Sequence, residues 1–246
     1  MLVKGNVKLG NIWNWSIPAI YSCPGSTDLC RKICYACRGA YVFRSVQESH
    51  SRNWKFSGSS HFVSSMIGFI RHRKVQLVRI HAAGDFDKAS YVRRWRDIIK
   101  ASPQTQFYAY TRSWRKTGLT PPGLIESIRD LSRLPNLRLW LSCDHETGEP
   151  PRWPRCPTCW LADNDQRAPD YPVDLVFRNV PEGPLRFFGE QLSQICPYEM
   201  GFAQMKVSCE TCRICFDTGR KVLRDFDDRS IRPVRRRTIV RKAVVG

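Results

Sequence analysis

The chain has 246 residues, 42% of them hydrophobic, which suits one large α/β domain, with or without a small appendage. Forty lysines and arginines against 22 acidic residues give a formal charge of +18, so polyanions such as nucleic acid are natural partners. No run of about eighteen uncharged apolar residues occurs, and the opening MLVKGNVKLG lacks a signal peptide's apolar segment, so a membrane span is excluded and a cytoplasmic protein expected.

Taken in chain order, residues 12–20 are apolar and aromatic and predict a first strand that ends just before Cys23. Residues 57–73 carry Phe62, Met66, Phe69 and Ile70 at helical spacing, and residues 75–82 (VQLVRIHA) then predict a strand. Helices over 88–100 and 122–134 alternate with strands over 106–111 and 137–142. A further strand is expected over 173–177, and a helix over 185–192. Strands alternating with helices of this length predict βαβ units, a mainly parallel sheet and ligand loops at the strands' carboxyl ends. The expected architecture is a partial (β/α) barrel over residues 1–193, a cysteine-rich module over 194–218 and a basic, partly disordered tail over 219–246. An open doubly wound sheet is the alternative. No oligomeric state follows from these features.

Eleven cysteines in a reducing compartment point to metal binding rather than to disulfides, and the odd count argues against a complete intrachain set. Cys30, Cys34 and Cys37 form C-x-x-x-C-x-x-C, with Cys23 seven residues upstream. Zinc usually takes two separated ligand pairs, whereas a short loop of closely spaced thiolates can wrap the separate iron corners of a [4Fe-4S] cluster. A second set, Cys209, Cys212 and Cys215 with the remote Cys196 beside proline, has a ferredoxin-like arrangement. Four thiolates there satisfy every iron and describe an electron-transfer or structural cluster. One or two clusters are therefore expected. Cys156 and Cys159 form a lone C-x-x-C; with Cys143 and His145 they suit a small zinc site, spare cluster ligands or buried thiols.

Asp85, in HAAGDF just past a predicted strand end, is placed either to receive an amino group or hydroxyl of a ligand beside Gly84 or to cap the next helix, a role open also to Asp87. Arg112 holds the matching place after the following strand and suits a carboxylate or phosphate, or simple exposure. The basic segments 71–74, 93–96 and 235–242 suit phosphates, while Trp95 and Trp114 suit either base stacking or the core.

The segments KLGNIWNWSIPA, SCPGSTDLCRKICYA, RIHAAGDF, YAYTRSW and the closing CP…CETCRIC resemble, in order, the phage and plasmid family called gene product 88. The likeness runs from about Lys8 to Cys215, and a phage origin implies the host-cell cytoplasm. The same order is similar to radical S-adenosylmethionine (SAM) enzymes: a strand, a C-x-x-x-C-x-x-C loop, a helix, then a strand ending in a glycine-acid motif. That resemblance implies Cys30, Cys34 and Cys37 as ligands of a cluster with one open iron, Gly84 and Asp85 at the SAM amino group, an auxiliary cluster in the C-terminal module and a reductant protein as partner. Two departures stand out. Ala36 replaces the usual aromatic before the last cysteine, with Tyr35 one place early, and Cys23 offers a fourth thiolate that closes the site if it ligates.

Overall fold

The computed structural model describes residues 1–5, 8–162, 169, 171–178, 196–200 and 207–217. Seven strands form one sheet in chain order: β1 (Val3–Lys4), β2 (Trp13–Trp15), β3 (Leu77–Ile80), β4 (Gln106–Thr111), β5 (Leu137–Cys143), β6 (Thr158–Ala162) and β7 (Leu175–Arg178). β1 runs antiparallel to β2, and every later pair is parallel. Each strand lies beside its predecessor, so the reversal of order that defines a doubly wound sheet is not made. Among the described residues the architecture is a mixed α/β sheet that stays open, with β1 and β7 at its edges.

Side chains alternate across each strand and divide the core in two. Val78, Ile80, Phe107, Ala109, Leu137 and Leu139 face α3 (Phe62–His72), α4 (Ala89–Lys100) and α5 (Leu124–Leu131). α4 shows why these helices dock: Tyr91, Val92, Trp95, Ile98 and Ile99 recur at helical spacing on the sheet side, while Arg93 and Lys100 stay exposed. Each such apolar side chain contributes about 1.5–3 kcal/mol on burial.

The opposite face carries Leu77, Tyr108, Tyr110, Trp140, Cys159 and Leu175, and the described C-terminal residues Cys196, Ile214, Cys215 and Phe216 cover it. Trp140 Nε1 donates to the Cys215 carbonyl at 2.8 Å, and Arg138 donates to that of Asp217 at 2.7 Å. The described part of the cysteine-rich segment is thus packed on the sheet.

Most expected elements are present, with differences that have physical causes. Helix α2 (Arg44–Ser57) was not expected, because it is polar around most of its circumference; Asn53 Nδ2 and Trp54 Nε1 hold it to the Ser16 carbonyl and Asp87. Residues 57–61 close α2 and turn, so the next helix starts at Phe62. Trp95 and Trp114 are buried, and base stacking is therefore withdrawn for both. The expected helix over 185–192 and the tail over 219–246 lie outside the described residues.

Candidate functional site at the carboxyl edge of the sheet

The N-terminal cysteine loop follows β2 directly and lies against the loops after β3, β4 and β5. Cys30 sits in α1 (Asp28–Lys32), whose N-cap Thr27 accepts from the Cys30 amide at 3.0 Å. The Thr27 hydroxyl donates in turn to Asp144 Oδ2 at 2.6 Å, at the end of β5. Arg112 Nη1 stands 3.0 Å from the same carboxylate oxygen, and both side chains are buried. Arg112 Nη2 also donates to Ser142 Oγ at 3.0 Å and to the Cys143 carbonyl at 3.3 Å. A buried ion pair therefore fixes the helix that carries Cys30.

Asp85 is equally committed. Its Oδ1 accepts from Thr111 Oγ1 and the Phe86 amide, both at 2.7 Å. Its Oδ2 accepts from the Arg112 and Ser113 amides at 2.7 and 3.2 Å. Burial pushes its carboxyl upward while these donors hold it down. Asp85 thus ties the end of β3 to the loop after β4, rather than capping α4. Gly84, at φ +84°, permits this approach, because a Cβ there would stand 2.5 Å from Ile17 Cγ1 and 2.7 Å from Ser22 Oγ. Gly25 does the same nearby, since its Cβ would meet the Arg112 carbonyl oxygen at 1.9 Å.

Around this frame Cys23 lies within Coulombic range of Cys30 and Cys34, and Cys34 in turn of Cys30 and Cys37. Burial raises the Cys23 thiol far above its ordinary range, raises Cys30 against the pull of Arg112, and takes Cys34 to about 11. Buried thiols are thus held protonated unless a cation arrives to take the thiolates. Cys37 is the exposed member of the set.

The second cysteine set lies around one pocket. Cys196, Cys209, Cys212 and Cys215 line a single pocket with Leu175, Tyr198 and Arg213. The Cys196 amide is bonded to the Val176 carbonyl at 2.8 Å, and the Cys209 amide to that of Lys8 at 2.7 Å. Cys209 opens the short α6 (Cys209–Cys212), which Ser208 and Thr211 cap reciprocally. Cys215 is buried and its thiol rises to about 12 for that reason.

All eleven cysteines lie among the described residues, and none is in a disulfide. Among the described residues no three Cys, His, Asp or Glu side chains converge on a point fit for one metal ion. The suggested zinc set from Cys143, His145, Cys156 and Cys159 is therefore set aside. Cys156 turns towards Ser132 beside α5 and packs in the cluster that holds Cys143, while Cys159 lies on the opposite face of the sheet. They are buried or half-buried thiols.

Sequence reasoning passed over Thr27, Asp144 and Arg79. Asp144 follows a strand end in SCDHE, and Arg79 interrupts the apolar run of β3; a charge in either place is a usable signal.

The fold and site define a class: an α/β protein on an open, mainly parallel sheet, with one cysteine loop at its carboxyl edge and a second cysteine set on its face. Within that class the gene product 88 family matches residues 2–218, and the chain belongs to it. The Gene 88 protein of Mycobacterium phage L5 is 31% identical over 153 residues, covering 57% of this chain and 60% of that protein. That of Mycobacterium phage D29 is 30% identical over 121 residues, covering 44% of this chain and 50% of its own. The chain thus spans only about half to three fifths of these curated relatives' lengths. No solved structure matches it. No helix among the described residues is long and apolar enough to cross a membrane.

Proposed function

We propose that the chain is an iron–sulfur protein of the host-cell cytoplasm with two [4Fe-4S] clusters, the N-terminal one catalytic and of radical SAM type. The observation that carries this is the grouping of Cys23, Cys30 and Cys34 at the carboxyl edge of the sheet, around a frame of buried charge. A single metal ion needs all its ligands within about 2.3 Å of one point, whereas a cluster presents separate iron corners to thiolates that stand further apart. The donor set fits the second case. Cys23, Cys30 and Cys34 would hold the cluster, leaving one iron open, with exposed Cys37 at the rim. When bound, a reduced cluster with an open iron supplies one-electron chemistry to SAM.

The protein's own residues do the positioning. Thr27, Asp144 and Arg112 fix α1, and Asp85 locks the loops after β3 and β4 together. Because Asp85 and Arg112 are satisfied internally, their part is to build the site's wall rather than to grip the SAM amino group. Cys196, Cys209, Cys212 and Cys215 would hold the second cluster, closed by four thiolates and suited to electron transfer.

Anaerobically reconstituted protein should show broad visible absorption and contain about eight irons per chain, four at each site. Colourless protein holding zinc and no iron would sink the proposal. With the iron in place, dithionite-reduced protein should release 5′-deoxyadenosine from SAM, and failure to do so removes the enzymatic part.

A nucleic-acid partner is supported by charge: Arg71, Arg73 and Lys74 stand exposed together where α3 ends. Binding of oligonucleotides that weakens steeply with added salt is the matching test.

A further inference from the structure

Arg79 lies mid-strand in β3, between Val78 and Ile80, which face the helices. Its own side chain projects to the other face, where its cross-strand neighbour is Tyr108. Arg79 is half-buried, and withdrawing a guanidinium from water is costly unless an anion or acceptors receive it. Among the described residues no carboxylate pairs with it. What surrounds it instead is aromatic and sulfur-bearing. The guanidinium stacks 5.4 Å from the Tyr110 ring centroid, Nη2 donates to Tyr35 Oη at 3.2 Å, and Cys209 lies within Coulombic range.

Among the described residues, two donors on this face are buried with no acceptor: Arg79 Nε and Tyr108 Oη. A buried donor left without an acceptor is unfavourable, so each is a place where an anion would be received. A third donor, the Tyr110 hydroxyl, lies on the same face near Cys215. Tyr108 packs 5.4 Å from Phe216, the residue after Cys215, so these donors lie directly beneath the C-terminal cysteine set. Through the same hydrogen bond the Arg79 guanidinium reaches the N-terminal loop at Tyr35, which lies between Cys34 and Cys37 in the chain and whose hydroxyl also donates to the Ala82 carbonyl.

We infer that Arg79, Tyr108 and Tyr110 form the hydrogen-donating floor of the C-terminal cluster site and raise that cluster's reduction potential, while Arg79 also holds the N-terminal cysteine loop through Tyr35. The inference rests on the two-cluster proposal above. A thiolate-ligated cluster is an anion that gains one further negative charge on reduction, with the electron supplied here by dithionite. Hydrogen-bond donors and a fixed positive charge beside its sulfurs favour the reduced form. Arg79 is a positioning residue, placed where it faces both sites.

The test uses the full chain carrying Cys30→Ser and Cys34→Ser, reconstituted anaerobically so that the C-terminal cluster is the one titrated. Arg79→Gln and Tyr108→Phe should keep the iron of that site, since all four thiolates remain. Each should make reduction harder, Arg79→Gln by about tenfold in the equilibrium constant, about 59 mV for one electron. Arg79→Lys should recover part of the potential by restoring the charge. Tyr35→Phe should leave that potential where it was and, with Cys30 and Cys34 intact, speed loss of the N-terminal iron to a chelator. Should Arg79→Gln fail to fold, Tyr108→Phe removes one hydroxyl alone and decides the matter. Full iron with unmoved potentials overturns the inference while leaving the clusters standing. A parent protein that takes up no C-terminal iron overturns both.

Discussion

Arg112 and Asp144 form a buried ion pair 3.0 Å apart, and the oxygen that receives Arg112 also receives the hydroxyl capping the helix of Cys30. Removing one partner of such a pair leaves the other charge stranded, at a cost of about 3–5 kcal/mol. Asp144→Ala should therefore lose stability of that order in urea unfolding. The double variant Arg112→Met with Asp144→Leu should recover much of it, because no charge is left unpaired. A loss below about 1 kcal/mol in the single variant would show that the pair is not needed to hold the fold.

Gly84 should tolerate no side chain. Its φ of +84° is left-handed, and a Cβ would meet Ile17 Cγ1 at 2.5 Å and the Ile17 carbonyl oxygen at 2.8 Å. The backbone alone costs roughly 1–2 kcal/mol for an L-residue, and the collision between two strand ends adds to that. Gly84→Ala should lower the melting temperature by several degrees, whereas alanine at Gly68, whose Cβ meets nothing within 4 Å, should not.

Stability should also fall in mild acid because of His81. The residue is buried, its Nε2 lies 2.9 Å from the Tyr91 hydroxyl, and that hydroxyl receives Trp15 Nε1 at 2.8 Å. Accepting from Trp15 leaves the tyrosine proton free to go to His81, whose Nε2 is then the neutral acceptor. Burial, with the Arg79 charge adding to it, lowers the imidazole from 6.5 to about 3. In the unfolded chain the ring takes a proton below 6.5, and in the folded chain it does not until about 3. Unfolding is thus favoured progressively as pH falls through that window, by up to about 1.4 kcal/mol per pH unit. Denaturant unfolding between pH 7 and pH 4 should show that slope, and His81→Gln should flatten it; an unchanged slope in the variant would assign the acid sensitivity elsewhere.

How much of this was legible in the sequence depends on where the signal lay. The apolar strand and helix of β4 and α4 were readable because one face repeats, and the parallel order followed from their alternation. α1 and α2 were not, because α1 is one turn held by a cap and α2 is held by two polar anchors. Strand β6 was hidden for another reason: Cys156 and Cys159 invited a metal-site interpretation, while Thr158–Ala162 is a strand whose alternation puts Cys159 and Trp160 on opposite faces. At the site, cysteine spacing located both thiol sets. Asp85 and Arg112 were marked as functional, but spacing says nothing about how many donors already surround a carboxylate. The roles of Asp144 and Thr27 arise from elements more than a hundred residues apart and are visible only in three dimensions.

The ligand set of the N-terminal loop can be separated from the motif that suggested it. Spacing alone selects Cys30, Cys34 and Cys37, and makes Cys23 either a bystander or a fourth ligand. In the fold Cys23 neighbours Cys30 and Cys34, and Cys34 also meets Cys37, the exposed member, so a third set of Cys23, Cys30 and Cys34 stands beside the two that spacing offers. A half-buried bystander among thiols and a carboxylate would gain nothing from its position, whereas a cluster ligand there is partly shielded from water and oxidants. Cys37→Ser should therefore keep about eight irons per chain and an open iron that SAM perturbs in the reduced spectrum, and Cys23→Ser should keep about four. Loss of iron in both variants would mean that four thiolates close the cluster, and SAM should then leave the wild-type spectrum unchanged. Loss in Cys37→Ser alone would restore the ligand set that spacing predicts and place Cys23 outside it.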